Sequence, residues 1–159
     1  VLHPWCRCRP RVGPAASDPA VTPEDLAALH AACFTTPRPW SAAEFAALRD
    51  SPGVFLCGDE TGFALGRVIA GEAELLTLAV HPAARRRGLG RRWLDAFEAA
   101  ARSRAAADAF LEVAADNAAA LRLYQRAGYT VAGRRKAYYT PPAGPRIDAL
   151  VMRKTLGKT

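Results

Sequence analysis

The run Leu75-Leu76-Thr77-Leu78-Ala79-Val80-His81-Pro82-Ala83-Ala84-Arg85-Arg86-Arg87-Gly88-Leu89-Gly90 sets the architecture of this chain. It opens as an apolar stretch, turns at His81-Pro82, passes through arginines and glycines, and enters a helical pattern near Leu89. The order is strand, loop, helix start. A helix start leaves backbone N–H groups unpaired and carries the positive end of the macrodipole. Glycine lets backbone approach a ligand closely, and arginine adds charge-assisted bonds to phosphate oxygens. The loop therefore suits a pyrophosphate. An exposed basic turn ahead of a helix has the same composition. The lysine and Ser/Thr of a P-loop are missing. The glycine spacing is not that of a dinucleotide-binding fingerprint, and no β-α-β repeat follows.

Upstream, Thr22-Pro23-Glu24-Asp25 combines a cap, a proline suited to the first helical position and an acid, which predicts a helix to about residue 33. Ser41-Ala42-Ala43-Glu44 is a capping box, and Trp40 can staple against Phe45, so a short second helix runs to about residue 48. Strands are expected at 54–57, 63–70 and 74–80, with turns at Asp59-Glu60-Thr61-Gly62 and Gly71-Glu72. A long helix spans about 89–103, with Trp93, Leu94, Phe97 and Ala101 as its buried stripe. Residues 109–113 form a strand. Asn117 caps a helix containing Leu121, Leu123 and Tyr124, and Gly128 stops it. A strand begins at Tyr129, and 147–152 is the last. One strand–helix–strand crossover makes part of the sheet parallel, so the class is α/β of the mixed, α+β kind.

A chain of 159 residues fits one domain, and a hydrophobic share of 50% argues against global disorder. No stretch approaches the roughly 18 apolar residues of a membrane span. The beginning of the chain carries no apolar signal segment, and a cytoplasmic location is the expectation. Residues 1–20 contain Pro4, Pro10, Pro14 and Pro19 and no apolar period. They read as an extension without fixed structure ahead of a domain at 21–155. The net charge is +7, with +2 of it in residues 1–20. That balance favours an anionic cofactor or a ribosome-associated target. The arginines cluster at one loop and no RNA-binding motif accompanies them, so direct nucleic-acid binding is not expected. Cys6-x-Cys8 has no second ligand pair with zinc spacing, so no metal site is expected. Cys33 and Cys57 read as reduced thiols.

The pattern Arg85-x-x-Gly88-x-Gly90, after Leu78-Ala79-Val80-His81-Pro82, resembles the acetyl-CoA pyrophosphate loop of the GNAT N-acetyltransferases. The resemblance implies the GNAT fold, in which two central parallel strands splay apart and the cofactor lies in the opening. It implies that Leu78, Ala79 and Val80 follow the pantetheine arm with their backbone. It also implies that Arg86, Arg87, Gly88, Leu89, Gly90 and Arg91 line the CoA diphosphate.

Leu111-Glu112-Val113 places a carboxylate mid-strand, between residues facing the other way. Glu112 is either a solvated sheet glutamate or a general base. An α-amino group with a pKa of about 7.7–8.0 is mostly ammonium at neutral pH. It must lose a proton before attacking a thioester, and a glutamate can accept it directly or through one water. Tyr124, about two helical turns after Asn117, is either a core aromatic or the acid that protonates a departing CoA thiolate. A phenol pKa of about 10 against a thiol at about 8.5 makes that transfer uphill unless the site perturbs one of them. Tyr138 and Tyr139 are ordinary strand aromatics or the wall of a peptide groove.

Several stretches together resemble one subgroup, the bacterial ribosomal-protein-alanine N-acetyltransferases of RimI type, over about residues 22–153. They are Pro39-Trp40-Ser41, Leu111-Glu112-Val113, the Asn117 to Tyr124 spacing, Gly128-Tyr129, and Tyr138-Tyr139 with Asp148-Ala149 and Met152. This resemblance implies Glu112 as base, Tyr124 as acid and Asn117 as a cofactor contact, with Trp40, Tyr138 and Tyr139 binding the acceptor. It implies acetyl-CoA as co-substrate, no metal, and direct attack in a ternary complex. The implied acceptor is the N-terminal alanine of the eighteenth small-subunit ribosomal protein. A monomer with no membrane partner is expected. Two positions depart from the subgroup. Ala114-Ala115-Asp116 stands where an arginine and a small residue are frequent, and Ala137 where asparagine or glycine is common. A small-molecule amine, a lysine side chain and a non-catalytic acetyl-CoA-binding role are the alternatives.

Overall fold

The computed structural model describes residues 21–157, and the extension expected at 1–20 lies outside them. The described elements are α1 (Pro23–Cys33), α2 (Ala42–Arg49), β1 (Val54–Asp59), β2 (Gly62–Ile69), β3 (Glu72–Val80), α3 (Leu89–Ser103), β4 (Asp108–Ala114), α4 (Ala118–Arg126), β5 (Thr130–Tyr139) and β6 (Ile147–Thr155). Thr22 with Asp25, and Ser41 with Glu44, close two capping boxes. Trp40 meets Phe45 at 5.5 Å between ring centroids, which is the expected staple. Asn117 accepts from the Ala120 N–H at the start of α4, and Gly128 follows its end at φ +93°.

The sheet order is β1-β2-β3-β4-β6-β5. Among the described residues, only β3 and β4 pair in parallel. The face carrying α3 and α4 buries Leu94, Phe97, Leu111 and Tyr129. The face carrying α1 and α2 buries Leu26, Phe45, Phe63 and Leu65. Each of these leucines and phenylalanines contributes about 1.5–3 kcal/mol by leaving water. α3 lies so close to β2 that a Cβ on Gly66 would sit 2.6 Å from the Phe55 and Phe97 rings.

Pairing between β3 and β4 runs only from Glu72↔Asp108 to Leu75↔Leu111. At the same place the β2–β3 register slips. Leu65 pairs with Thr77 and Gly66 with Leu75, so Leu76 is the extra residue of a β-bulge. A bulge bends its strand and inverts the side-chain alternation beyond it. Ala73 and Leu75 point to the α3 face before the bulge, and Leu78 and Val80 do so after it. Ala79 joins the α1 face. The bend turns residues 76–80 away from β4, which is the splay that the resemblance implied.

Two strands outrun their apolar signals. β5 is the outer strand and exposed along almost its whole length, so Gly133-Arg134-Arg135-Lys136 carries no alternation to betray it. β6 continues past Met152 through Arg153, Lys154 and Thr155, pairing with the start of β4. Lys154 Nζ donates to both oxygens of Glu98, at 2.8 and 2.7 Å. Those bonds satisfy an acid that is 3% exposed within the α3 stripe.

Ala137 lies at a register irregularity between Arg135 and Tyr139, with φ +50°. Left-handed backbone costs an alanine about 1–2 kcal/mol, and asparagine adopts it more readily. Ala137→Asn keeps the N–H that donates to Asp148 Oδ1 at 2.8 Å. It is expected to add up to about 1 kcal/mol of stability and about 2–4 °C of melting temperature. Thermal unfolding checks this, and an unchanged or lower midpoint contradicts the strain.

Candidate active site

The loop comes first. His81 Nδ1 accepts from the Ala83 N–H, and a 3₁₀ turn at Pro82–Ala84 leads into residues 85–88. Arg86 at φ +63° and Gly88 at φ +73° both have left-handed backbone. Such turns gather successive N–H groups into an anion-binding concavity. Gly88 is the N-cap of α3, which has no side-chain cap and no acid in its first turn. α1, α2 and α4 are capped by Thr22, Ser41 and Asn117. The first amides of α3, at Leu89, Gly90 and Arg91, are therefore open to an anion. Arg86 and Arg87 are exposed beside them. The Arg91 guanidinium is engaged elsewhere, donating to Asp95 at 2.8 Å and to the Arg126 carbonyl at 3.4 Å. Arg91 thus offers its backbone rather than its charge.

The strand leading to the loop offers its edge. The His81 N–H donates to the Thr61 carbonyl at 2.8 Å, toward β2. The Val80 carbonyl turns the other way and accepts from Cys33 Sγ at 3.2 Å and Arg85 Nε at 3.2 Å. Peptide direction alternates along a strand. Leu78 and Val80 therefore present their peptide groups to the opening. Ala79 pairs with Phe63 of β2, and its side chain is buried on the α1 face.

A cavity of about 330 Å³ occupies the splay. Glu112, Asn117 and Tyr124 line one wall, Leu78 and Trp40 another, and Tyr138 and Tyr139 close it. A second opening of about 610 Å³ shares Thr36, Ala114 and Asn117 with the first and extends along Asp116, Pro141 and Pro142. The loop residues 86–91 lie outside both linings.

Leu111 and Val113 are buried against the α3 face, which leaves Glu112 on the cavity side of β4. Its Oε1 accepts from Arg135 Nε at 2.6 Å. The Arg135 guanidinium also lies over the Tyr138 ring, 5.7 Å from the centroid. Asn117 Oδ1 caps α4 at 3.2 Å from the Ala120 N–H, so its amide hydrogens remain as donors. Tyr124 is 8% exposed. No protein group among the described residues bonds its hydroxyl. Burial raises its pKa well above the usual phenol value, and nearby Tyr139 adds to the rise. Tyr124 is therefore a protonated donor at neutral pH. Tyr139 is pushed up to about 12 by burial, with Glu112 and Tyr138 adding.

The sequence reading did not single out His30 and Thr77, which line the cavity, or Arg135, which pairs Glu112. His30 shares the buried side of α1 with Leu26 and Leu29, and a histidine on an apolar stripe ordinarily passes for core. Thr77 is the one hydroxyl in an apolar strand. Arg135 sits on the strand whose polarity concealed it. Among the described residues, no group of three or more His, Cys, Asp or Glu side chains could hold a metal ion. No helix there is long and apolar enough to cross a membrane. Cys6-x-Cys8 lies outside the described residues.

A parallel strand pair that parts at a bulge, followed by an uncapped Gly/Arg helix start, defines a GNAT-type acetyltransferase fold. Residues 23–129 match the acetyltransferase (GNAT) family, and the chain belongs to that family. It is similar to the [ribosomal protein bS18]-alanine N-acetyltransferase of Escherichia coli (strain K12), 40% identical over 95 residues. That match covers 60% of this chain and 64% of the relative, less than two thirds of its length. N-alpha-acetyltransferase RimI of Mycobacterium tuberculosis is 36% identical over 140 residues, covering 82% of this chain and 85% of that one. The crystal structure of the ribosomal-protein-S18-alanine N-acetyltransferase from Escherichia coli superposes with a TM-score of 0.76 at 30% identity, over 86% of this chain and 89% of that one.

Proposed function

We propose that this chain transfers the acetyl group of acetyl-CoA to the N-terminal α-amine of a protein. The proposed acceptor is the N-terminal alanine of ribosomal protein S18, and the enzyme works as a cytoplasmic monomer. One observation carries the reading. The splay at Leu76 brings Leu78 and the side chains of Glu112 and Tyr124 to one opening, on the strand that leads into the uncapped start of α3. The names of the Escherichia coli and Mycobacterium tuberculosis relatives support an N-terminal acceptor.

The residues present fit acetyl-CoA. The α3 amides with Arg86 and Arg87 hold the diphosphate, and the peptide groups of Leu78 and the N–H of Val80 pair with the pantetheine arm. The Asn117 amide is a further donor. Glu112 takes a proton from the acceptor ammonium, directly or through one water. The freed amine nitrogen bonds to the thioester carbonyl carbon, while a backbone N–H at Leu78 or Val80 stabilises the oxyanion. The bonded nitrogen releases its second proton to water, the C–S bond breaks, and Tyr124 O–H donates to the departing sulfur and regains its proton from solvent. Burial makes the phenol a weaker acid, but it makes a desolvated thiolate a stronger base as well. Tyr124 therefore stabilises the sulfur as a hydrogen-bond donor and gives up its proton only as the charge develops. The Cys33 thiol is engaged on the Val80 carbonyl and Cys57 is buried in the core, so transfer is direct.

Tyr124→Phe keeps the ring and removes the donor. Turnover is expected to fall about 100-fold, with acetyl-CoA affinity nearly unchanged. Wild-type turnover in this variant would return Tyr124 to a packing role. The function itself is tested with an alanine-started peptide that also contains lysine. Mass spectrometry should place the acetyl on the α-amine, and an acetyl on lysine would overturn the acceptor assignment.

A further inference from the structure

We propose that His30 is a positioning residue that aims the Thr77 hydroxyl at the first peptide carbonyl of the acceptor. The inference rests on the reading above and names how that site selects a chain end. His30 is 1% exposed and lines the cavity. Its ring stacks on Phe34 at 4.3 Å and on Trp40 at 5.1 Å. The Trp40 backbone N–H donates to Nδ1 at 3.2 Å. A ring nitrogen that accepts carries no hydrogen, so the neutral ring holds its hydrogen on Nε2. Nε2 lies 3.2 Å from Thr77 Oγ1 and donates to it. Thr77 has then accepted one bond and keeps one hydrogen to give. No other bond among the described residues takes that hydrogen, and Thr77 lines the cavity.

The three donors thus run in one direction, from Trp40 through His30 to Thr77 and on to a cavity occupant. Thr77 directly follows the bulged residue Leu76, where β3 leaves β4. Trp40 belongs to the connection between α1 and α2. His30 therefore ties the two walls together and fixes the hydroxyl between them. Burial depresses the His30 pKa to about 4, with Glu44 opposing, so the ring stays neutral through the working range. An N-terminal residue presents a peptide carbonyl next to its α-carbon, and a lysine side-chain amine does not. A fixed hydroxyl donor distinguishes the two.

His30→Phe keeps ring volume and stacking and loses both hydrogen bonds. His30→Gln keeps a donor and an acceptor. Thr77→Val keeps the shape and loses the hydroxyl. For an alanine-started peptide, His30→Phe and Thr77→Val should each raise the acceptor KM about 10-fold, in line with one hydrogen bond to substrate. The acetyl-CoA KM should stay at the wild-type value, and His30→Gln should recover most of the loss. The double variant should be no worse than either single one. An unchanged acceptor KM, or an equal rise in both KM values, overturns the proposal. Nitrogen NMR of the His30 ring tests the link without turnover. Hydrogen on Nε2 is expected in the wild type, and hydrogen on Nδ1 refutes it. A wild type inactive on the peptide would count against the proposed function and would also refute the acceptor-carbonyl contact.

Discussion

Glu112→Gln lowers turnover by about 100- to 10,000-fold and leaves acetyl-CoA affinity within about twofold of wild type. Glutamine matches glutamate in shape and still offers Oε1 to Arg135, which donates at 2.6 Å. What it cannot do is take a proton. The variant then reacts only with the acceptor fraction that is already free amine. That fraction rises as pH passes the α-amine pKa of about 7.7–8.0. The loss should therefore be greatest near pH 6 and shrink toward pH 9. The start of α3 lies outside the Glu112 cavity, so the diphosphate contacts persist. Steady-state rates across pH 6–9 check this. Wild-type turnover across that range would leave Glu112 as a carboxylate whose only task is pairing Arg135.

The second large effect concerns the loop. Gly88→Asp places a carboxylate at the uncapped start of α3. Nothing lies within 4 Å of a Cβ built there, so the side chain has room. Aspartate tolerates the left-handed backbone that φ +73° demands better than most residues. The new charge competes for the amides meant for the diphosphate and repels it. Bonds to charged groups are worth about 1.5–3 kcal/mol each, so acetyl-CoA affinity should fall about 100-fold. Gly88→Asn, the uncharged shape match, should keep most of the affinity. Calorimetric titration with acetyl-CoA compares them. Equal affinity for both variants and the wild type would mean that the diphosphate lies elsewhere.

Much of this architecture is legible in the sequence because apolar period and punctuation agree. Thr22, Ser41 and Asn117 mark three helix starts, and the stripe of Trp93, Leu94, Phe97 and Ala101 marks the long helix. The position of Glu112 follows from its apolar neighbours in β4. The bulge at Leu76 is not legible. Leu75-Leu76-Thr77-Leu78 is apolar on both sides, and a strand buried on both faces has no alternation for a bulge to break. That hidden inversion decides that Leu78 and Val80, not Ala79, turn their backbone to the opening. β5 is hidden for the opposite reason, since exposure leaves it no apolar pattern. Arg135, the partner of Glu112, comes from that strand. His30 and Thr77 meet only in three dimensions, 47 residues apart in sequence.

The central claim is that a free N-terminal amine receives the acetyl group. CoA-thiol release from acetyl-CoA measures it, with an alanine-started peptide and the same peptide blocked at its α-amine. The account predicts release with the free amine and none with the blocked one. No release with either peptide, from a protein that binds acetyl-CoA, would contradict it.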